Sequence, residues 1–195
     1  MPPVTQALLI ANVAVFVLEM SGMVSLGELA LWPPGGFDSN FAPWQIVTYA
    51  FLHGSLTHIF FNMLGLYMFG SEVERLFGSR FYVVYYFGCV VSAAISHLAV
   101  TAGMGAPPYP TVGASGGVFG LLLAFGVYFP QRRVLLLFPP IPLPARVFVI
   151  LFAALELVFG VTGTAAGVAH FAHLGGMIGG GLMIQYRRGR FPFSR

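Results

Sequence analysis

The sequence predicts an all-α polytopic membrane protein, a bundle of six spanning helices with an interfacial loop between the first two, and three observations predict it. Of the 195 residues, 57% are hydrophobic and 8% are charged, where a soluble domain carries about 25% charged. Apolar runs recur six times between Gly- and Pro-rich breaks, most of them close to the about 20 residues that cross a membrane. With six alternating spans, all nine Lys and Arg residues, every one an arginine, fall on the same side. Positive charge collects on the cytoplasmic side, so both termini are expected there. No room remains for a separate soluble domain, and residues 1–195 are expected to form one membrane domain.

The first span is expected at about 4–24, with Asn12 and Glu19 as polar interruptions that bridge it to its neighbours. The start MPPVTQALLIANVAVF has neither a basic segment nor a small-residue cleavage site, so it is read as a retained span and not as a signal peptide. Residues 25–52 form the longest irregular stretch, with Pro33, Pro34, Gly35 and Gly36 in a row between Trp32 and Trp44. Tryptophan prefers the membrane–water boundary, which places this loop partly in the interface.

A second span at about 55–70 carries His58 and Asn62 four residues apart, on one helical face, and His53 stands just before it. The charged patch Glu72, Glu74, Arg75 and Arg80 is expected to end that span. A third follows at about 81–101, holding Cys89 and His97, both read as packing residues. The lone cysteine leaves no disulfide to form.

The break GMGAPPYPTVG leads to Gly113-Ala114-Ser115-Gly116 and a fourth span at about 115–130. The fifth, about 146–160, follows the turn PPIPLP and carries Glu156 near its far end, with no role assigned. The sixth, about 168–186, reads VAHFAHLGGMIGGGLMIQY.

Polar groups inside spans are costly and point to function. At about 1.5 Å per helical residue, Ser115 lies roughly 22 Å from Pro130, His58 roughly 21 Å from Glu72 and His173 roughly 21 Å from Arg187. One hydroxyl and two imidazoles are thus offered at similar depth, below the outer face. A serine at a helix start has free amides and the positive end of the dipole beside it, where it either caps the helix or acts as a nucleophile. A nucleophilic serine needs a base, and histidine is suited to that task near neutrality. His173 is preferred over His170 by rotation. At 100° per residue, the small-residue face of Gly176 and Gly180 lies about 40° from His173 and about 100° from His170.

That face should bring the sixth span against the start of the fourth, with Phe119 packed on the base's ring. His58 and Asn62 are candidate donors to an oxyanion, alongside the Ser115 amide. With no aspartate in the second, fourth or sixth span, a dyad is expected without a third member.

In these residues the sequence resembles the rhomboid family of intramembrane serine proteases. The resemblance rests on His53-Gly54, His58 and Asn62-Met63, on Gly113-Ala114-Ser115-Gly116 with Phe119-Gly120, and on Ala172-His173-Leu174-Gly175-Gly176 with Gly180. It implies the minimal six-span bacterial type, in a bacterial cytoplasmic membrane, with the active site open to the outer side. It further implies Ser115 as nucleophile, His173 as base, His58 and Asn62 as oxyanion donors, and other proteins' transmembrane segments as substrates. The first loop departs from the pattern, with Trp44-Gln45 where the family commonly has Trp-Arg.

Lipid and transmembrane proteins are the expected partners; no nucleic acid, metal or other cofactor is expected. A non-catalytic rhomboid-like chaperone or binding protein would keep the fold and lose the dyad, and both Ser115 and His173 are retained. A transporter or a metal-dependent protease built on the histidines is disfavoured, because no HExxH occurs and no acidic residue is expected beside the histidines.

Overall fold

In the computed structural model the first helix, α1 (Pro3–Met20), opens with a proline in its first turn, where the missing amide costs nothing. The structure describes residues 1–34, 40–104, 109–136, 139–164 and 169–189. Gly35, Gly36 and Asp38 of the first loop lie outside the described residues, as do parts of the GMGAPPYPTVG and GVTGTAAG breaks, Val168, Arg190 and Arg195.

After α1 come two short helices, α2 (Leu26–Leu29) and α3 (Gln45–Thr48), the latter running into a 3-10 turn over Tyr49–Phe51. Helix α4 (Leu56–Gly65) is capped by Ser55, whose hydroxyl accepts the His58 amide at 3.1 Å. It continues through a widened π turn, Leu66–Gly70, into α5 (Ser71–Phe77). The charged patch expected to end the span holds the end of this helix, which stops at Phe77 before Gly78 at φ +75°. Glu72, Glu74 and Arg75 lie within it because their charges are paired: Glu72 meets Arg75 and Arg132, and Glu74 takes four hydrogen bonds. A helix of 26 residues, α6 (Ser79–Met104), follows. Then come α7 (Ser115–Tyr128), α8 (Ala145–Thr162) and α9 (His170–Arg187).

The Pro-rich turn before α8 carries a small hairpin absent from the expectation. Strand β1 (Arg133–Leu135) pairs antiparallel with β2 (Pro142–Pro144). Two prolines without amides hide such a strand from a sequence reading.

Helices α1, α6 (over Ser79–Gly103) and α8 are long and apolar enough to cross a membrane, and α7 is apolar but shorter. Ile10, Val13 and Val17 on α1 and Ile150, Val158 and Val161 on α8 are exposed, the outward apolar surface of an integral membrane protein.

The core is α9 set between α6 and α7. A Cβ at Gly176 would collide with the Gly116 carbonyl of α7, while on the other side Gly175 and Gly179 lie against Ser96 and Ser92 of α6. Ser92 Oγ donates to the Gly175 carbonyl at 2.8 Å and Tyr85 Oη to the Gly120 carbonyl at 2.7 Å. Cys89 packs against Gly120. Small residues allow backbones this close, and in a membrane such packing with interhelical hydrogen bonds holds helices together.

Asn12 does not bridge α1 to a neighbour as expected: its side-chain amide donates to its own helix, at the Leu8 carbonyl. Glu19 does bridge, accepting the His53 amide at 3.2 Å.

Candidate active site

Helix α7 begins at Ser115, and the turn before it is possible only with glycine. Gly113 has φ +128°, and a Cβ there would lie 2.8 Å from His58 Nε2. Its amide donates to the Tyr49 carbonyl at 2.9 Å, and two residues earlier Thr111 and Leu31 exchange both backbone hydrogen bonds, each 2.9 Å. The serine turn is thus tied to the first loop and to the segment leading into α4.

The first loop is held by Gln45, which is buried. Its Oε1 accepts the Trp32 amide at 3.1 Å, and its Nε2 donates to the Asn40 and Glu28 carbonyls at 2.8 and 3.2 Å. A neutral amide offers both donors and an acceptor to the loop backbone, so this departure from Trp-Arg leaves the loop anchored.

Ser115 Oγ lies 2.8 Å from His173 Nε2. The rings of Phe119 and His173 stack, with centroids 4.3 Å apart and planes within 4°. Gly116 and Gly176, in direct backbone contact, set the helix separation that this hydrogen bond needs. Gly180 lies one turn further along, against Gly120 and Tyr85.

A cavity of about 600 Å³ opens beside the pair, lined among others by His58, Asn62, Ser115, Phe119 and His173. Asn62 Nδ2 donates one proton to the His58 carbonyl at 2.9 Å, which leaves the second proton of that nitrogen for another acceptor. His53 sits behind His58, its ring edge-on with centroids 5.1 Å apart. Burial first and the His58 charge second push His53 down to about 4, so it is neutral at pH 7. The structure brings Ser115, His173, His58, Asn62, Phe119 and Gly113 to one cavity wall or its immediate backing, and keeps His53, Gly176 and Gly180 behind it.

One expectation is corrected here: an acidic residue does lie beside the histidines. Glu156, to which the sequence gives no role, has its Oε2 2.9 Å from His173 Nδ1 and 2.6 Å from His170 Nδ1. The contact to His170 is an aligned hydrogen bond; at His173 the oxygen is near but out of line with the N–H. Since a carboxylate only accepts, His173 is assigned its proton on Nδ1, which leaves the Nε2 lone pair for the Ser115 hydroxyl. His170 Nε2 donates to the Thr164 carbonyl at 3.1 Å.

His97 also has a polar partner, supplied by the loop and not by its own helix. Its Nε2 lies 2.8 Å from Thr111 Oγ1, so it braces the approach to the serine turn from outside the cavity.

A family model described as the Rhomboid domain matches residues 40–190. The chain is 30% identical over 138 residues to the rhomboid protease GluP of Bacillus subtilis, covering 70% of this chain and 24% of that one. It is 33% identical over 154 residues to rhomboid protein 1, mitochondrial, of Saccharomyces cerevisiae, covering 73% and 41%. To the rhomboid protease GlpG of Klebsiella pneumoniae it is 30% identical over 180 residues, covering 86% and 61%. The chain thus spans between 24% and 61% of the length of these curated relatives.

Proposed function

The chain belongs to the rhomboid family, and from that premise we propose that it is an intramembrane serine protease cutting in or near transmembrane segments of other proteins. The observation that carries the reading is the 2.8 Å contact between Ser115 Oγ and His173 Nε2, at the wall of a cavity that His58 and Asn62 also line.

In this reading residues 1–195 form one domain of six spans, the second over about 55–70 with the charged patch from Glu72 outside the membrane, and the Gly-rich α9 crossing beside the longer apolar helices. The arginine distribution supports cytoplasmic termini and a serine end open to the opposite side. Helix α7 has 14 residues, about 21 Å at helical rise, against about 30 Å of hydrocarbon. A short helix lowers its serine-bearing end into the membrane and calls for a water-filled cavity there.

The steps follow from the atoms. The scissile carbonyl carbon is attacked by Ser115 Oγ as His173 Nε2 takes the hydroxyl proton. The carbonyl oxygen becomes an oxyanion, stabilised by the Ser115 amide, the His58 ring and the free Asn62 proton. The His173 imidazolium then gives its Nε2 proton to the leaving amine, which leaves an acyl ester on Ser115. Water, deprotonated by the same nitrogen, hydrolyses that ester and restores the hydroxyl. Glu156 faces the imidazole nitrogen that stays protonated throughout, so it steadies the imidazolium and positions the ring.

Ser115→Ala should abolish cleavage of a reporter transmembrane segment and labelling by a fluorophosphonate, with thermal unfolding unchanged. Full cleavage by that variant would remove the serine-protease reading; an unlabelled, inactive parent chain would favour a non-catalytic binding protein.

A further inference from the structure

We propose that Glu156, His170 and His173 form an inhibitory zinc site, in which the ion takes the base out of service. This rests on the protease reading for its effect on rate, but not for the binding itself. The three donor atoms, Glu156 Oε2 and the two Nδ1 nitrogens, all lie within 4.8 Å of one another. Two histidines three residues apart on α9 share a face, and α8 supplies the carboxylate. Two imidazoles and one carboxylate are a familiar zinc set, with zinc–ligand distances of about 2.0–2.2 Å and a fourth position left to water. A tetrahedral ion of that size holds its ligand atoms about 3.3 Å apart. The present 2.6 and 2.9 Å contacts would open slightly, and the two nitrogens would draw together.

The protons favour the ion. The Thr164 carbonyl accepts only, so His170 carries its proton on Nε2, 3.1 Å from that oxygen. Its Nδ1 lone pair then faces a carboxylate oxygen, and the 2.6 Å contact requires one proton shared between them. A cation replaces that proton without changing the partners. The Thr164 contact is also the outer hydrogen bond that metal-bound histidines commonly make, fixing tautomer and ring orientation.

The effect on His173 follows from its two nitrogens. With zinc on Nδ1, the remaining ring proton must sit on Nε2, the atom that faces Ser115. A nitrogen that already carries a proton cannot accept one from the hydroxyl, and a neutral metallated ring is a poor source of positive charge for the transition state. Binding releases the shared proton to solvent, in keeping with the proton release that metal binding to such ligands entails.

The experiment uses the full chain in detergent, stripped with EDTA, with Zn²⁺ binding read by competition with a chromophoric zinc indicator and cleavage read on the reporter. One ion per chain is expected. Zinc should drive the zinc-free rate towards zero, and EDTA should restore it. His170→Gln should weaken binding at least as much as losing an outer partner does, about 10- to 100-fold, with residual inhibition scored against that variant's own zinc-free rate. Glu156→Gln should also weaken binding, which keeps the test valid if one variant fails to fold. Ser115→Ala should bind zinc like the parent, so a failed protease reading and a failed zinc site give different results. No bound ion, equal affinity in both ligand variants, or activation by zinc would each overturn the proposal.

Discussion

Two carboxylates in this molecule are built into opposite ends of the helical core, and they are used in opposite ways. Glu74 lies at the end where α1 starts and α5 finishes. Its Oε1 accepts the Val4 amide at 3.0 Å and the Ser79 hydroxyl at 2.7 Å, and its Oε2 accepts both the amide and the hydroxyl of Thr5 at 2.7 Å. Glu156 lies at the serine end, where one oxygen serves two imidazoles. Fixed amides and hydroxyls make a carboxylate a structural clasp, here an N-cap for α1 supplied by another helix. Donors that gain and lose protons make it part of the proposed chemistry. What surrounds the charge, more than its burial, separates the two roles.

If that contrast is right, changes at the serine end should remove activity and spare stability. The largest effect is expected at the base. His173→Ala should eliminate both cleavage and fluorophosphonate labelling, whereas His170→Ala should keep substantial activity, since only His173 reaches Ser115. A dead His170→Ala beside an active His173→Ala, both folded, would reverse the assignment. Next come the oxyanion donors. His58→Ala and Asn62→Ala should each slow cleavage about 10²-fold, the usual scale for one such donor. Parental rates in both would require another donor set.

Glu156→Gln should cost less, about tenfold in kcat with KM retained. Converting a buried triad carboxylate to its amide can cost about 10⁴-fold by fixing the wrong tautomer. Here the oxygen is out of line with His173 and already aligned on His170, so less orientation is at stake. An unchanged kcat would make Glu156 a partner of His170 alone.

The helices and the serine turn could be read from the sequence because their causes are local. Apolar runs end at Gly and Pro, Ser115 opens an apolar stretch after Gly113, and Gly176 and Gly180 supply the rotational reference that favours His173 over His170. Glu156 could not be read, because its partners lie 14 and 17 residues away on another helix and the single glycine that packs its face against His170 and Phe171, Gly160, forms no small-residue pattern. Looking for an aspartate in the second, fourth and sixth spans missed a glutamate on the fifth. Nor does the residue pattern contain the partners of Glu74, the Val4 and Thr5 amides 70 and 69 residues away. Gln45 and the partner of His97 likewise depend on loops whose course the residue pattern does not contain.

The smallest effect belongs to the clasp, and it is read in stability. Burial pushes the Glu74 carboxyl up, but hydrogen bonds from Ser79, Thr5 and Val4 more than offset this and hold it below the ordinary carboxylate value. A folded-state value below the unfolded one, about 4.3 for a glutamate, contributes stability that is complete above the unfolded value. That contribution is lost as pH falls through the folded value. Glu74→Gln removes the charge and turns an amide NH₂ towards donors, at about 2 kcal/mol for charge-assisted hydrogen bonds lost at a buried site. Thermal unfolding in detergent should therefore separate parent and Glu74→Gln by a constant gap near neutrality, and the gap should start to narrow at the unfolded value and close once pH has fallen through the lower folded one, while the cleavage rate per folded molecule at pH 7 stays the same. A gap that persists at low pH would make Glu74 a packing residue whose charge is incidental. A fall in rate per folded molecule would show that the two ends are coupled.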